Sequence, residues 1–183
     1  ATTHDTILFF TNKGRVFGTK AWEIPETSRQ AKGQALVNIL NLDQNEEIRS
    51  IWPLKKDSGV KHLIMTTALG VVKKTSISEF ENLRASGLIA IKLRADDLLV
   101  SVHPTAGEDF VLLLTKNGKS IKFPEANVRP MGRATTGVRG ILLEKGDVVI
   151  GMEVFEMKVA TPDDKRKKFF RNILTVSEHG IGK

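Results

Sequence analysis

The residues of this 183-residue chain whose types and spacing could do chemistry are its lysines and arginines. Their chemistry is the gripping of anions. They number 28 against 21 aspartates and glutamates, a formal net charge of +7 with a pI near 9.7. Arginine offers a phosphate two parallel N–H donors, and lysine a mobile point charge. The basic residues recur in two settings. One set follows a glycine turn: Lys13, Arg15 and Lys20, then Lys73 and Lys74, then Lys119 and Lys122, and last Lys183. The other flanks a second glycine: Arg29 and Lys32, then Arg84, then Arg129, Arg133 and Arg139. Gly132, Ala134 and Gly137 beside the last three leave room for a phosphate at backbone N–H groups. A surplus spread along the whole chain suits a long track on a folded surface, where each segment adds a few phosphate contacts. The run Lys165–Lys168 reads equally well as a solvated loop.

Other chemistries lack their parts. The chain has no cysteine and no tyrosine, so it offers neither a thiolate nor a phenolic nucleophile. Its four histidines (His4, His62, His103, His179) show no metal-ligand spacing, and no P-loop is present. Glu47, Asp97 and Asp147 recur at fifty-residue steps and read as turn or strand-start residues. Trp22 and Trp52 read as core or inter-repeat packing. No apolar run approaches the ~18 residues of a membrane span, and the first ten residues lack a signal peptide's features. The chain does not begin with Met and reads as part of something longer.

The elements that must position the basic residues are repeats. DTILFFTNKGRVFGTK from Asp5, KHLIMTTALGVVKKTS from Lys61 and EDFVLLLTKNGKSIKF from Glu108 align, and NILTVSEHGIGK from Asn172 begins the pattern again. Each has a short apolar run, a hydroxyl residue, a glycine (Gly14, Gly70, Gly118, Gly180) and a strand-like basic stretch. Gly33, Gly87 and Gly137 open a second half with further apolar runs. Apolar runs of strand length joined by glycine turns predict hairpins. The one helix candidate is 77–84. About four short strands in each ~50 residues predict a propeller-like array. The expected repeats are 5–54, 61–105, 108–155 and a partial 172–183, in a single domain 1–183.

Nearly the whole chain resembles the C-terminal domain of the bacterial DNA gyrase A subunit, related to that of the topoisomerase IV A subunit. The stretches that carry the likeness are 3–17, 24–40, Gly70–Thr75 with Glu79, Phe80, Leu83, Arg84 and Gly87, and above all Val128–Gly140. Gly180–Lys183 looks like the family's Gly-Tyr-Gly-Lys element. The resemblance implies an all-β pinwheel whose blades exchange strands, here about three complete blades and part of another. It implies a basic outer rim that binds, bends and wraps duplex DNA, and so supports ATP-dependent negative supercoiling by the whole enzyme. The implied partners are duplex DNA, the rest of the A subunit, and the B subunit in a heterotetramer, with no membrane. The implied location is the bacterial cytoplasm, at the nucleoid. By the same resemblance, catalysis, ATP and magnesium belong elsewhere in the holoenzyme, and this chain needs no cofactor or metal. The Gln-Arg-Arg-Gly-Gly-Arg-Gly box that marks gyrase is not found. Ser28–Gln34 looks like the weaker element of other blades, so the chain is expected to begin after the blade that holds the box. The alternatives are a protein-binding scaffold with an acidic partner, or a topoisomerase IV domain that steers DNA for decatenation.

Overall fold

Apolar runs of four or five residues that meet a glycine turn fold back on themselves, and three such hairpins organise the structure. It is a computed structural model and describes residues 2–26, 28, 30, 32–33, 35–55, 58–81, 83, 86–155, 174–178, 180 and 182. The hairpins are β1 (Thr6–Thr11) with β2 (Arg15–Lys20), β4 (His62–Thr67) with β5 (Val71–Ser76), and β8 (Phe110–Thr115) with β9 (Ser120–Pro124). Their registers are equivalent: Thr6 faces Lys20, His62 faces Ser76 and Phe110 faces Pro124.

Each repeat adds a long strand, β3 (Ile48–Leu54), β7 (Leu99–Thr105) or β11 (Val149–Phe155), antiparallel to the first strand of its own hairpin. All three pairings carry a β-bulge at one place, with Arg49, Val100 or Ile150 as the extra residue. The remaining strands cross to a neighbour. β6 (Leu88–Ile89), from the second repeat, pairs with β2, and β10 (Val138–Arg139), from the third, pairs with β5. The sheets therefore read β3-β1-β2-β6, β10-β5-β4-β7 and β11-β8-β9. This is the strand exchange expected of a pinwheel; the third sheet has three strands among the described residues.

Gly14 and Gly70 show why the turn must be glycine. Their φ values are 74° and 78°. Each carbonyl accepts from an incoming exchange segment: Ala90 and Ile91 donate to Gly14, and Gly140 and Ile141 to Gly70. A Cβ at Gly14 would sit 2.6 Å from the Ile91 carbonyl oxygen, and one at Gly70 2.9 Å from Ile141 Cγ2. A side chain there would push the crossing strand off the sheet.

Period-two alternation sends one face of each sheet into one sandwich and the other face into the next. Leu8, Phe10 and Val16 of the first sheet meet Leu63, Met65, Leu99 and Val102 of the second. Phe80 and Ile91 fill the space between them. Ile64 and Val72 turn the other way and meet Val111, Leu113 and Met152 of the third sheet. Fully burying such side chains stabilises by about 1.5–3 kcal/mol each. Phe80 also stands edge-on to Phe10, ring centroids 5.9 Å apart.

At the inner side, Trp52 Nε1 donates to the Val102 carbonyl at 2.6 Å, and Val102 N–H donates to Ser50 Oγ at 3.0 Å. β3 and β7 thus form a hub, and the exchanged strands lie on the far edge, the rim.

Three expectations need correction. The helix expected over 77–84 is a single 3-10 turn, Ile77–Phe80, followed by the exchange segment. Trp22 is 62% exposed and joins no core cluster among the described residues, because it sits on the 3-10 turn Ala21–Glu23 beyond the end of β2. The acid equivalent to Asp97 and Asp147 is Glu46, not Glu47. Each of the three follows a residue of positive φ, Asn45, Asp96 or Gly146, which fixes the alignment. Asp97 Oδ1 accepts the Leu69 and Leu98 N–H groups, and Asp147 Oδ1 those of Asn117 and Val148. Buried Glu46 accepts from Thr11, Asp43 and Arg15, while the exposed Glu47 side chain pairs with Arg49 at 3.0 Å.

Candidate nucleic-acid interface

The rim of the second sheet is built by a segment of the third repeat. Val128 anchors it in the core. Pro130 then bridges to Lys74 of β5, and Met131 N–H donates to the Lys74 carbonyl at 2.8 Å. A turn closed by Thr135 on the Gly132 carbonyl leads into β10. Arg129 and Arg139 project from this segment, both exposed, with no carboxylate partner among the described residues. Arg133 lies half-buried between them, its Nε 3.3 Å from Glu79 Oε2.

Equivalent corners of the three sheets each carry one cation. Arg15 faces Ile89 at the hairpin end of the first rim, and Arg139 faces Val71 at the same corner of the second. Lys119 precedes β9 at the corresponding corner of the third. They differ in freedom. Arg15 is locked to Asp43 at 2.8 Å, Glu46 at 2.9 Å and the Ser86 carbonyl at 2.9 Å, with its guanidinium over the Phe17 ring. Its role is to hold the exchange segment. Lys119 pairs with Glu144 at 2.6 Å, but both side chains are exposed, and such pairs are worth only about 0–1 kcal/mol. Arg139 has no ion-pair partner among the described residues.

The remaining expected residues are scattered. Lys13 is exposed and donates to the Gln44 carbonyl at 2.8 Å. Lys20 lies at the opposite end of β2, its Nζ on Thr6 Oγ1 at 2.9 Å. Lys122 is exposed above the Phe110 ring, 4.5 Å from its centroid. Lys32 is exposed and lies outside the strands. Arg29, Arg84 and Lys183 fall outside the described residues.

Lys73 and Lys74 are not surface groups: they are 0% and 5% exposed. Register aligns Lys73 with Phe17 and Ile121, so it points into the sandwich. Lys74 aligns with Gly18 and with exposed Lys122, but the segment from Val128 to Met131 covers it, and its Nζ donates to the Glu125 carbonyl at 2.9 Å. Burial lowers the Lys73 pKa to about 8; the Arg133 charge acts the same way and Glu79 opposes it. Burial likewise lowers His62, helped by Lys74 and Lys61 against Glu125, and lowers His103 against Glu153 and a Met152 backbone bond. Among the exposed cations that the sequence reading did not single out is Lys92, whose N–H donates to the Thr135 carbonyl at 3.0 Å where two exchange segments meet. Its signal was its place directly after the apolar run Leu88–Ile91. Among the described residues, no cluster of His, Asp and Glu could hold a metal ion.

Comparison with known families matches residues 5–51, 61–106 and 109–156 to the DNA gyrase C-terminal domain, beta-propeller. The chain belongs to that family. Among the curated relatives of this gyrase-domain chain, the DNA gyrase A subunit of Staphylococcus aureus (strain NCTC 8325 / PS 47) is 42% identical over 182 residues. The alignment takes in 99% of this chain and 19% of that protein. Its counterpart in Staphylococcus aureus (strain MRSA252) is identical to the same extent over the same share. The chain therefore spans 19% of the length of the curated relatives it matches. A crystal structure of the C-terminal domain of DNA topoisomerase IV superposes with a TM-score of 0.79 and 33% identity, covering 85% of this chain and 49% of that one. The DNA gyrase A C-terminal domain gives 0.66 and 29%, covering 83% and 48%. Both likenesses agree with the exchange topology described above.

Proposed function

We propose that this chain binds duplex DNA along its rim and bends it, as the non-catalytic wrapping module of a gyrase A subunit. The observation that carries the reading is the pair of exposed arginines, Arg129 and Arg139, without a carboxylate partner among the described residues, on the segment that forms the outer edge of the second sheet. A chain of net charge +7 adds attraction at longer range. Bending a short duplex by 40–90° costs about 1–6 kcal/mol. Phosphate contacts spread over successive blades, each releasing counterions, offset that cost without reading sequence. In this reading a B subunit joins the complete A subunit in a heterotetramer in the cytoplasm, at the nucleoid. ATP, magnesium and strand cleavage belong to those other parts.

The test uses end-labelled duplexes of about 40 base pairs, far below the ~150 base-pair persistence length, so that the free DNA is a straight rod. The chain should raise energy transfer between the two ends, with little dependence on sequence. Binding without any approach of the ends would reduce the module to a passive clamp. The higher TM-score to the topoisomerase IV domain favours a second reading, in which the module steers DNA for decatenation. Deleting the domain from the parent enzyme separates the two. Loss of negative supercoiling supports the gyrase role, and loss of decatenation alone supports the other.

A further inference from the structure

Position 73 departs from the pattern of its own fold. Lys73 occupies the register site filled by Phe17 in the first sheet and Ile121 in the third. A Cβ on Gly87 would lie 2.6 Å from the Phe17 ring, and one on Gly137 would lie 3.1 Å from Lys73 Cβ, so the two side chains lie under equivalent exchange segments. An ammonium in a core slot is unfavourable unless donors are needed there.

Donors are needed. Lys73 Nζ donates to the Ala90 carbonyl at 2.7 Å and to the Arg133 carbonyl. Ala90 belongs to the segment that completes the first sheet, and Arg133 to the segment that rims the second. One side chain thus ties two consecutive exchange segments together. Around it, Lys92 N–H reaches the Thr135 carbonyl, and Glu79 pairs with Arg133. The charged groups that face the ammonium are Glu79 and Arg133. From the other side of β5, Lys74 holds the Glu125 carbonyl at the base of the same rim segment.

We infer that Lys73 is a positioning residue for DNA bending, one that pins the rim segment of one blade to the exchange segment of the blade before it. It thereby sets the angle between successive stretches of the phosphate track, and it touches no DNA itself. The inference rests on the DNA-bending reading above.

The test compares Lys73→Met, which keeps the stem volume and removes the donors, with Lys73→Arg, which keeps donors and charge. Both are read by thermal unfolding, by duplex affinity and by end-to-end energy transfer at saturation. The expected result is a folded Lys73→Met chain that binds within about tenfold of wild type, no more than ~1.4 kcal/mol of affinity, yet brings the DNA ends together much less. Lys73→Arg should keep the wild-type bend. Equal bending by Lys73→Met overturns the inference and leaves the function standing. Lys73→Arg failing alongside Lys73→Met also overturns it, because the site would then require fit rather than donors. If Lys73→Met does not fold, Lys73→Gln, which is one atom shorter and uncharged, takes its place and should show the same reduced bend, equal bending again overturning the inference; failure of both to fold assigns Lys73 to the fold alone. A wild-type chain that leaves the ends apart overturns the function, and this inference with it.

Discussion

Replacing Arg129 and Arg139 together by alanine tests the phosphate track most directly, because neither side chain has a carboxylate partner among the described residues. Each phosphate that a cation neutralises releases condensed counterions, so the slope of log affinity against log salt falls by about 0.9 for every such phosphate given up. Giving up two makes the slope shallower by about 1.8. Between 50 and 200 mM salt the advantage of wild type over the double variant should therefore shrink by roughly twelvefold. Fluorescence anisotropy with one labelled duplex at four or five salt concentrations measures both slopes. Glu144→Gln should act in the opposite direction, since it frees Lys119 from its 2.6 Å pairing, and the slope should steepen by up to about 0.9. Arg15→Ala should act differently again. Its partner Glu46 has a fully buried side chain, and an orphaned buried charge costs about 3–5 kcal/mol, so stability falls while the salt slope of any folded fraction holds. The reasoning is refuted if the double variant keeps the wild-type slope with its unfolding transition intact.

Phe80→Ala removes a fully buried ring from the junction of the first two sheets and should lower stability by about 3–5 kcal/mol in urea unfolding. Trp22→Ala, at an exposed site, should stay within about 0.5 kcal/mol; a larger loss would show that the indole packs after all. Stability should also depend on pH through Lys73. Its folded pKa is about 8 against an ordinary 10.5, so between those values the unfolded chain holds a proton that the folded chain has released. Stability therefore rises with pH across that window, by up to ~3 kcal/mol, and urea midpoints of Lys73→Met should lack the rise. At the acid end, His62 and His103 are both held below 6.5 by burial. The unfolded chain then takes up protons first, stability falls as pH drops through that value, and His62→Gln with His103→Gln should flatten the fall.

The hairpins were legible because local chemistry dictates them: Gly14, Gly70 and Gly118 follow apolar runs and carry φ values of 74°, 78° and 83°. The exchange strands were not legible from periodicity. β6 and β10 are two residues each, too short for any period to register, and only the likeness to a known family anticipated them. Lys73 and Lys74 misled for a related reason. β5 is buried on both faces along Val71–Thr75, so no alternation separates an inward lysine from an outward one. Glu46 and Glu47 are adjacent acids, and only the left-handed residue before Glu46 tells them apart. Gly33 shows the same limit: it stands thirteen residues before Glu46, whereas Gly87 and Gly137 stand ten before their acids. Arg129 and Arg139 are exposed because the segment around them is rich in Gly, Pro and Thr, and its one strand, β10, is only two residues long and lies at the outer edge of its sheet.

Strand exchange has a mechanical consequence for the proposed bending of a stiff polymer. Two sheets joined only at the hub, through Trp52 to Val102 and Leu99 to Asn12, would hinge there, and the elastic recoil of bent DNA would act at the rim, where its lever arm is longest. Here the rim is joined as well, by Ala90 and Ile91 on Gly14, by Gly140 and Ile141 on Gly70, and by Lys73 across both crossings. Two separated attachments fix an angle that a single one leaves free. A residue's place in the sequence is then a poor guide to the blade it serves: Arg139 belongs to the third repeat but works on the edge of the second sheet. Loss of one repeat would remove its own blade and also the outer strand of the blade before it, so the curvature of the track belongs to neighbouring pairs of repeats and to no repeat alone.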